Sequence, residues 1–247
     1  GNEPDLFAIA PDRATGRQWV ESMTAEIRAL DDVHLVTTGL HSASLLTSDA
    51  LRCDDTFASG DIGVMHAYPM YMDWVENPLD PWFVPYTCAM TAMLGGKPVL
   101  AEEFGGCTVP DGGESTIWAW ESYGQPRTQF MASESDFADY IAAILPNLQQ
   151  TGALGAMLWC FADYAPELWD RPPLVHSKHE RFFGLVRPDG TLKPHTDVIR
   201  RFSQTQPTVQ PAPDLSVLHM TPDDFYADPA YHLQRLYPAF LQAVGAK

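Results

Sequence analysis

Basic residues are scarce in this chain. Fifteen Lys and Arg stand against thirty-two Asp and Glu, a net charge of −17 over 247 residues. Phosphate contacts need Lys and Arg, so the balance argues against a nucleic acid or an anionic membrane as partner and favours a neutral ligand. Cysteine is sparse too: Cys53, Cys88, Cys107 and Cys160 lie far apart with no C-x-x-C. That spacing offers no zinc site, and it leaves a disulfide open without pointing to one. Long apolar runs are missing, since none approaches the roughly 18 residues of a membrane-spanning helix. No secretory leader is visible, and the chain opens on Gly rather than Met, so its location stays open. Internal repeats and glycine-rich nucleotide loops are absent as well.

What is present is an ordinary apolar content of 45%, enough at this length for one large core. Seven Trp and nine Tyr are a generous supply of rings for stacking on sugars, although most aromatics in any fold are simply core. The organising stretch is Lys97 to Gly106. After the Gly95-Gly96 turn, the short apolar run Val99–Ala101 has the length of a buried parallel strand, and it ends in Glu102-Glu103-Phe104-Gly105-Gly106. In parallel α/β architectures the carboxyl ends of strands face the active-site mouth. A carboxylate held there suits a nucleophile or a general base. The plain alternative is a solvated Glu-Glu pair at the start of a loop.

A second Glu stands at a break near the start, in Asn2-Glu3-Pro4, where Pro4 disfavours helix at Glu3. One hundred positions separate Glu3 from Glu103. A (β/α)8 barrel spends about 31 residues per βα unit, so the gap is close to three units. Asn-Glu-Pro at one strand end and Glu-Phe-Gly three strands later resembles the retaining glycoside hydrolases of the (β/α)8-barrel clan that includes family 5, the mannanases and cellulases. The resemblance covers residues 1 to about 202. It implies that Glu3 is the acid/base after barrel strand 4 and Glu103 the nucleophile ending strand 7. Asn2 would then bind the sugar 2-hydroxyl, and no metal or organic cofactor is needed.

Further residues fit the same resemblance. The run 61–69 reads as barrel strand 6, and alternation puts His66 and Tyr68 on one face at its end. In the family the Tyr hydroxyl bonds the nucleophile and the His borders the site. Residues 152–161 read as strand 8, where Trp159 matches the Trp that floors the subsite of the sugar to be cleaved. Tyr71 and Trp74 are plausible cleft walls, and Trp118, Trp120 and Tyr123 are outer stacking platforms in a long segment, 107–129. Glu167, Trp169 and His176 are cleft candidates in a second loop, and His41 sits in a strand-exit loop. Adjacent strand residues face opposite ways, so Glu103 is chosen over Glu102, which becomes a wall or supporting group.

Elsewhere, residues 5–10 read as a loop and 16–30 as a helix capped by Thr15, with Trp19, Met23, Ile27 and Leu30 as its buried stripe. Residues 34–39 read as strand 5, 50–60 as a connector and 82–94 as a helix. A capping pattern at Ser133–Asp136 opens a helix through about Gln149. Residues 180–202 resemble the family's closing turn and last helix. The expected organisation is the C-terminal half of a glycosidase barrel over 1–203, with a linker and helical extension over 204–247. Only strands 4/5 to 8 are then present, a partial barrel of α/β class. Four strands cannot close around a packed interior, so a homodimer or a complementing N-terminal half-barrel is expected. The expected function is retaining hydrolysis of a β-linked, β-1,4 glucan or mannan type of substrate. Its rivals are a catalytically weak carbohydrate-binding half-barrel that needs a partner chain, and an unrelated acidic α/β enzyme.

Overall fold

The computed structural model describes residues 2–7, 12–47 and 51–246. Gly1, residues 8–10 of the expected loop and Ala50 of the expected connector lie outside them. Three parallel strands, β1 (Gly63–Ala67), β2 (Val99–Gly105) and β5 (Ala156–Trp159), form one sheet in the order β1-β2-β5. Single parallel bridges extend it on the β1 side, His41 to His66 and then Asn2 to Gly39. Five parallel staves thus run side by side: Asn2-Glu3, Gly39–His41, β1, β2 and β5. They make an arc of a (β/α)8 barrel.

The expected strand at 34–39 does not form; the run carries one isolated bridge, at Gly39. Side chains do part of a ladder's work: Thr37 Oγ1 donates to the Ile62 carbonyl at 2.9 Å, and Asp61 accepts the Val36 amide at 2.6 Å. Helix α1 (Arg13–Leu30) starts earlier than expected, because Asp12 rather than Thr15 is the N-cap and accepts from the Thr15 amide. Its expected buried stripe holds only at Trp19, which is half-buried against the core. Gly16 and Val20 are its buried residues, whereas Met23, Ile27 and Leu30 are 48%, 43% and 91% exposed. Periodicity correctly found an apolar face, but no described element covers it. At the opposite edge Met157 and Phe161 are 56% and 76% exposed, and no described strand pairs the outer side of β5.

The expected connector contains a short helix, α2 (Cys53–Ala58). Helix α3 (Phe83–Gly95) is buried around nearly its whole circumference, since the sheet covers one side and the C-terminal tail the other. Helix α4 (Glu134–Gln150) opens at Ser133, whose hydroxyl accepts the Asp136 amide, and buries Phe137, Ile141, Ile144 and Leu148. After α5 (Pro194–Gln204) the tail forms two helices, α6 (Pro222–Ala227) and α7 (Pro229–Ala243). Both pack into the main core: Phe225, Leu233, Leu236 and Phe240 belong to it, and the Tyr86 hydroxyl donates to the Leu233 carbonyl at 2.5 Å. The tail clasps the helical layer. All four cysteines are free thiols.

Segment 107–129 is not the open loop its Gly and Ser content implied. It carries an antiparallel hairpin, β3 (Thr116–Ser122) and β4 (Gln125–Met131), joined by Tyr123-Gly124. Positive φ at both turn residues, 51° and 71°, is the two-residue turn whose twist matches a hairpin.

Candidate active site

The strand ends deliver their groups to one cavity of about 450 Å³. Glu3 sits at the end of the first stave with φ 47°, a left-handed conformation that non-glycine residues rarely adopt and that concentrates at functional sites. Its amide donates to the Gly39 carbonyl at 2.9 Å, which fixes it against the second stave. Gly39 lies in a tight place: a Cβ there would be 3.1 Å from His66 Cε1 and 3.2 Å from Glu102 Oε2, so those side chains would have to give way.

Between Val64 and His66 in β1 the paired positions on β2 advance from Leu100 to Glu103, three residues against two. On the other side Ala101 to Phe104 faces Ala156 to Leu158, again three against two. The extra residue is a bulge in β2 at the Glu pair, of the kind that re-aims side chains next to active sites. As expected, Glu103 lines the cavity and Glu102 does not; Glu102 is a supporting group on the far side of His66. Strict alternation fails at the bulge, and both carboxylates reach His66.

His66 is the hub. Its Nδ1 lies 3.0 Å from Glu3 Oε1 and 3.4 Å from Glu103 Oε1, and its Nε2 lies 3.0 Å from Glu102 Oε2. With three carboxylates around a ring that is 1% exposed, its pKa rises to about 9 although burial opposes the charge. Both ring nitrogens are then donors. The nearest ligand atoms of Glu3, His66 and Glu103 lie within 4.8 Å of one another, a spacing that could hold a cation. The imidazolium already supplies that positive charge. His66 was expected to border the substrate; it lies behind the carboxylates and does not line the cavity.

Tyr68, at the end of β1, donates to Glu103 Oε2 at 2.9 Å. Burial pushes the Glu103 pKa up, opposed by the His66 charge and the Tyr68 hydrogen bond. Burial acts the same way on Glu3, but the His66 hydrogen bond and the charges of His41 and His66 outweigh it, so its pKa falls. Asn2 and Trp159 both line the cavity, with Trp159 at the end of β5.

One expected wall residue, Trp74, and one expected outer platform, Trp118, do not. Trp74 packs edge-on against Phe83 and Tyr237, with ring centroids 5.7 Å away in each case, because the tail helix folds over it. Trp118 shares the inner face of β3 with Trp120, but it is nearer the hairpin's foot and lands edge-on against Phe182, 5.5 Å away. Trp169 also packs on Phe182.

Sequence reasoning missed Glu180 and His179, which line the cavity together with His41. His41 caps its own turn by accepting the Ala43 amide at Nδ1, and burial lowers its pKa. Tyr71 does form a wall: its hydroxyl lies 3.0 Å from His179 Nε2 and donates to Glu180 Oε1 at 3.3 Å. No local pattern marks 178–180, whose position depends on the whole loop from Asp163.

Parallel staves with Glu at two carboxyl ends, Tyr and Trp between them and helices outside make part of a (β/α)8 barrel, a fold like that of family 5 glycoside hydrolases. Among solved structures the chain is similar to GH5_18 from Streptomyces cattleya in complex with GlcNAc (TM-score 0.73, 16% identity, 100% of this chain and 59% of that one). It is also similar to the exo-beta-1,4-mannosidase Op5Man5 from Opitutaceae bacterium strain TAV5 (TM-score 0.65, 22% identity, 84% and 36%). Mannan endo-1,4-beta-mannosidase A of Hypocrea jecorina is 29% identical over 125 residues, 42% of this chain and 26% of the relative. The chain thus matches about a quarter of the length of its curated relatives, 24% and 26%. No family model matches.

Proposed function

We propose that the chain forms the catalytic face of a retaining glycoside hydrolase for β-linked sugars, with Glu103 as nucleophile and Glu3 as acid/base. The observation that carries this reading is the pairing of the two carboxylates across His66, their facing oxygens within 4.8 Å, with Tyr68 bonded to Glu103. Retaining enzymes hold their carboxyl groups about 5–5.5 Å apart, whereas inverting ones need roughly 6.5–9.5 Å to admit a water. Glu103 attacks the anomeric carbon as the glycosidic C–O bond breaks, and Glu3 gives its proton to the leaving oxygen. Water, deprotonated by Glu3, then displaces Glu103. Mannosidases among the similar proteins favour a β-mannoside over a β-glucoside.

The resting electrostatics need one more step. Double displacement wants Glu3 protonated and Glu103 ionised, but in the resting site Glu3 is the stronger acid of the two. The required proton is on His66 Nδ1, 3.0 Å from Glu3 Oε1. Its transfer turns an imidazolium–carboxylate pair into neutral imidazole and carboxylic acid, while Tyr68 keeps Glu103 charged. His66 is thus a positioning residue and proton reservoir.

This fixes a pH dependence. His66 titrates at about 9, above its ordinary 6.5, so its proton is present below that range and lost as pH rises through it. The His66 contribution to stability follows the same sign, full below 6.5 and gone above about 9. With an aryl β-mannoside, kcat/KM should fall on the alkaline side near 9 and on the acid side as Glu103 takes a proton, and the first-formed sugar should keep the β configuration by NMR. An alkaline limb at pH 5–6 would mean that Glu3 titrates alone and would remove His66 from the scheme. Trp159→Ala should weaken sugar binding, whereas Trp74→Ala should mainly cost stability, about 3–5 kcal/mol through lost packing. Intact affinity in folded Trp159→Ala would make that residue core.

The open edges favour a second reading: the arc binds sugar but turns it over slowly until another half-barrel or a second copy covers Met23, Ile27, Met157 and Phe161. Sedimentation together with activity separates the two, because the first reading predicts turnover by the isolated chain.

A further inference from the structure

The hairpin β3–β4 builds a second cavity, of about 370 Å³, that shares Tyr71 and His179 with the first. Both volumes are in the usual range for small-ligand sites, roughly 300–1,000 Å³. The two cavities differ sharply in charge. Glu3, Glu103 and Glu180 line the first, whereas among the described residues no carboxylate lines the second, in a chain with thirty-two Asp and Glu. The second therefore has donors and rings but no acid/base pair. It is built to hold a ligand, not to cleave one.

Its rings are set face-on. Tyr123 stacks on His176 with centroids 3.8 Å apart and planes at 21°, and its outer face is open, with the residue 77% exposed. The positive φ of Tyr123 and Gly124 holds this ring at the hairpin tip. Trp120 is pinned by its indole N–H, which donates to the His176 carbonyl at 2.8 Å, and its ring lies 5.6 Å from His179 at 33°. Arg127 and Gln129 add donors on the neighbouring strand, where Arg127 pairs with Trp120. At the junction His179 Nδ1 is buried and has no hydrogen-bond partner among the described residues, which leaves a polar atom for a hydroxyl.

We infer that this second cavity is a binding subsite for a further sugar ring of the same chain, so that the substrate is a β-linked oligosaccharide spanning both cavities. A pyranose offers an apolar face of C–H groups to Trp120 or Tyr123 and a rim of hydroxyls to Arg127, Gln129 and His179. The inference rests on the glycosidase reading of the first cavity, but its test does not need turnover.

The test uses the Glu103→Gln chain titrated by tryptophan fluorescence with two ladders, β-1,4-linked mannose and glucose oligosaccharides of one to four units. In one ladder, a single added unit should tighten binding tenfold or more. That step should vanish in Tyr123→Asn, which keeps the left-handed turn, and in Trp120→Ala. It should persist in Ile117→Ser, on the outward face of β3, where Ile117 is 64% exposed. Two flat ladders, or a step that survives both ring variants, overturn the subsite. Hydrolysis of an aryl glycoside by the unmodified chain reports on the first cavity separately. Turnover with flat ladders sinks the subsite alone, and a ring-dependent step without turnover sinks the catalytic reading alone.

Discussion

Glu103→Gln should lower turnover of an aryl β-glycoside by on the order of a thousandfold or more, because no neighbouring group can replace a covalent nucleophile. Glu102 is the only other carboxylate on that strand end, and it is turned to the far nitrogen of His66, 3.0 Å from Nε2. Glu3→Gln should cost roughly 10²- to 10⁴-fold with a poor leaving group and less with an activated one, as expected for loss of a general acid. Azide tells the two roles apart. In Glu103→Ala it takes the place of the missing carboxylate and attacks from the same face, so the glycosyl azide has inverted configuration. In Glu3→Ala the covalent intermediate still forms, and azide displaces Glu103 to give the retained anomer. Wild-type-like rates in either Gln variant, or the same anomer from both Ala variants, would end the assignment.

The parts of this site that could be read from the sequence are those fixed by strand ends. Glu3, Tyr68, Glu103 and Trp159 each stand near the end of a stave; a short apolar run leading into Pro69 or Gly105 marks that end for Tyr68 and Glu103, whereas Glu3 and Trp159 were legible only through the resemblance. The hub was not legible. That Glu102 and Glu103 both reach His66 depends on one extra residue in β2 relative to both neighbours, and register is a property of pairs of strands. Aromatic residues in connections misled for a related reason. Trp74 and Trp118 have the composition of a sugar cleft, yet which ring meets solvent is decided by segments far away, the tail helix for one and Phe182 for the other. The hairpin did leave a local sign, alternating residues around Tyr123-Gly124, that was hidden by the Gly and Ser surrounding it.

Behind the cavity wall lies the residue whose loss should cost the fold most. Lys193, just before α5, sends its ammonium group inward to Asp163 Oδ1 at 2.7 Å, Thr108 Oγ1 at 2.9 Å and the Phe182 carbonyl at 3.1 Å. The two charged side chains are 2% and 3% exposed. Asp163 also accepts the Gly184 amide at 2.7 Å. One ion pair thereby ties the exits of β2 and β5 to the strip that carries Phe183, whose ring lies 6.0 Å from Tyr68. Burial pushes the Lys193 pKa down and the Asp163 pKa up, each opposed by the other's charge. Lys193→Met should therefore destabilise the chain by about 3–5 kcal/mol at neutral pH, since it leaves a carboxylate buried without its partner. The double variant Lys193→Met, Asp163→Asn should lose clearly less than the sum of the single changes, because the uncompensated charge is gone. In Lys193→Met the Asp163 pKa is raised further, so the penalty is present above the unfolded value of about 3.9 and fades as pH falls towards it. Urea unfolding of the four chains at pH 7 and pH 4 measures all three quantities. A single-variant loss below about 1 kcal/mol, the range of exposed pairs, would mean that water reaches this pair and that the wall behind Tyr68 is held by packing alone.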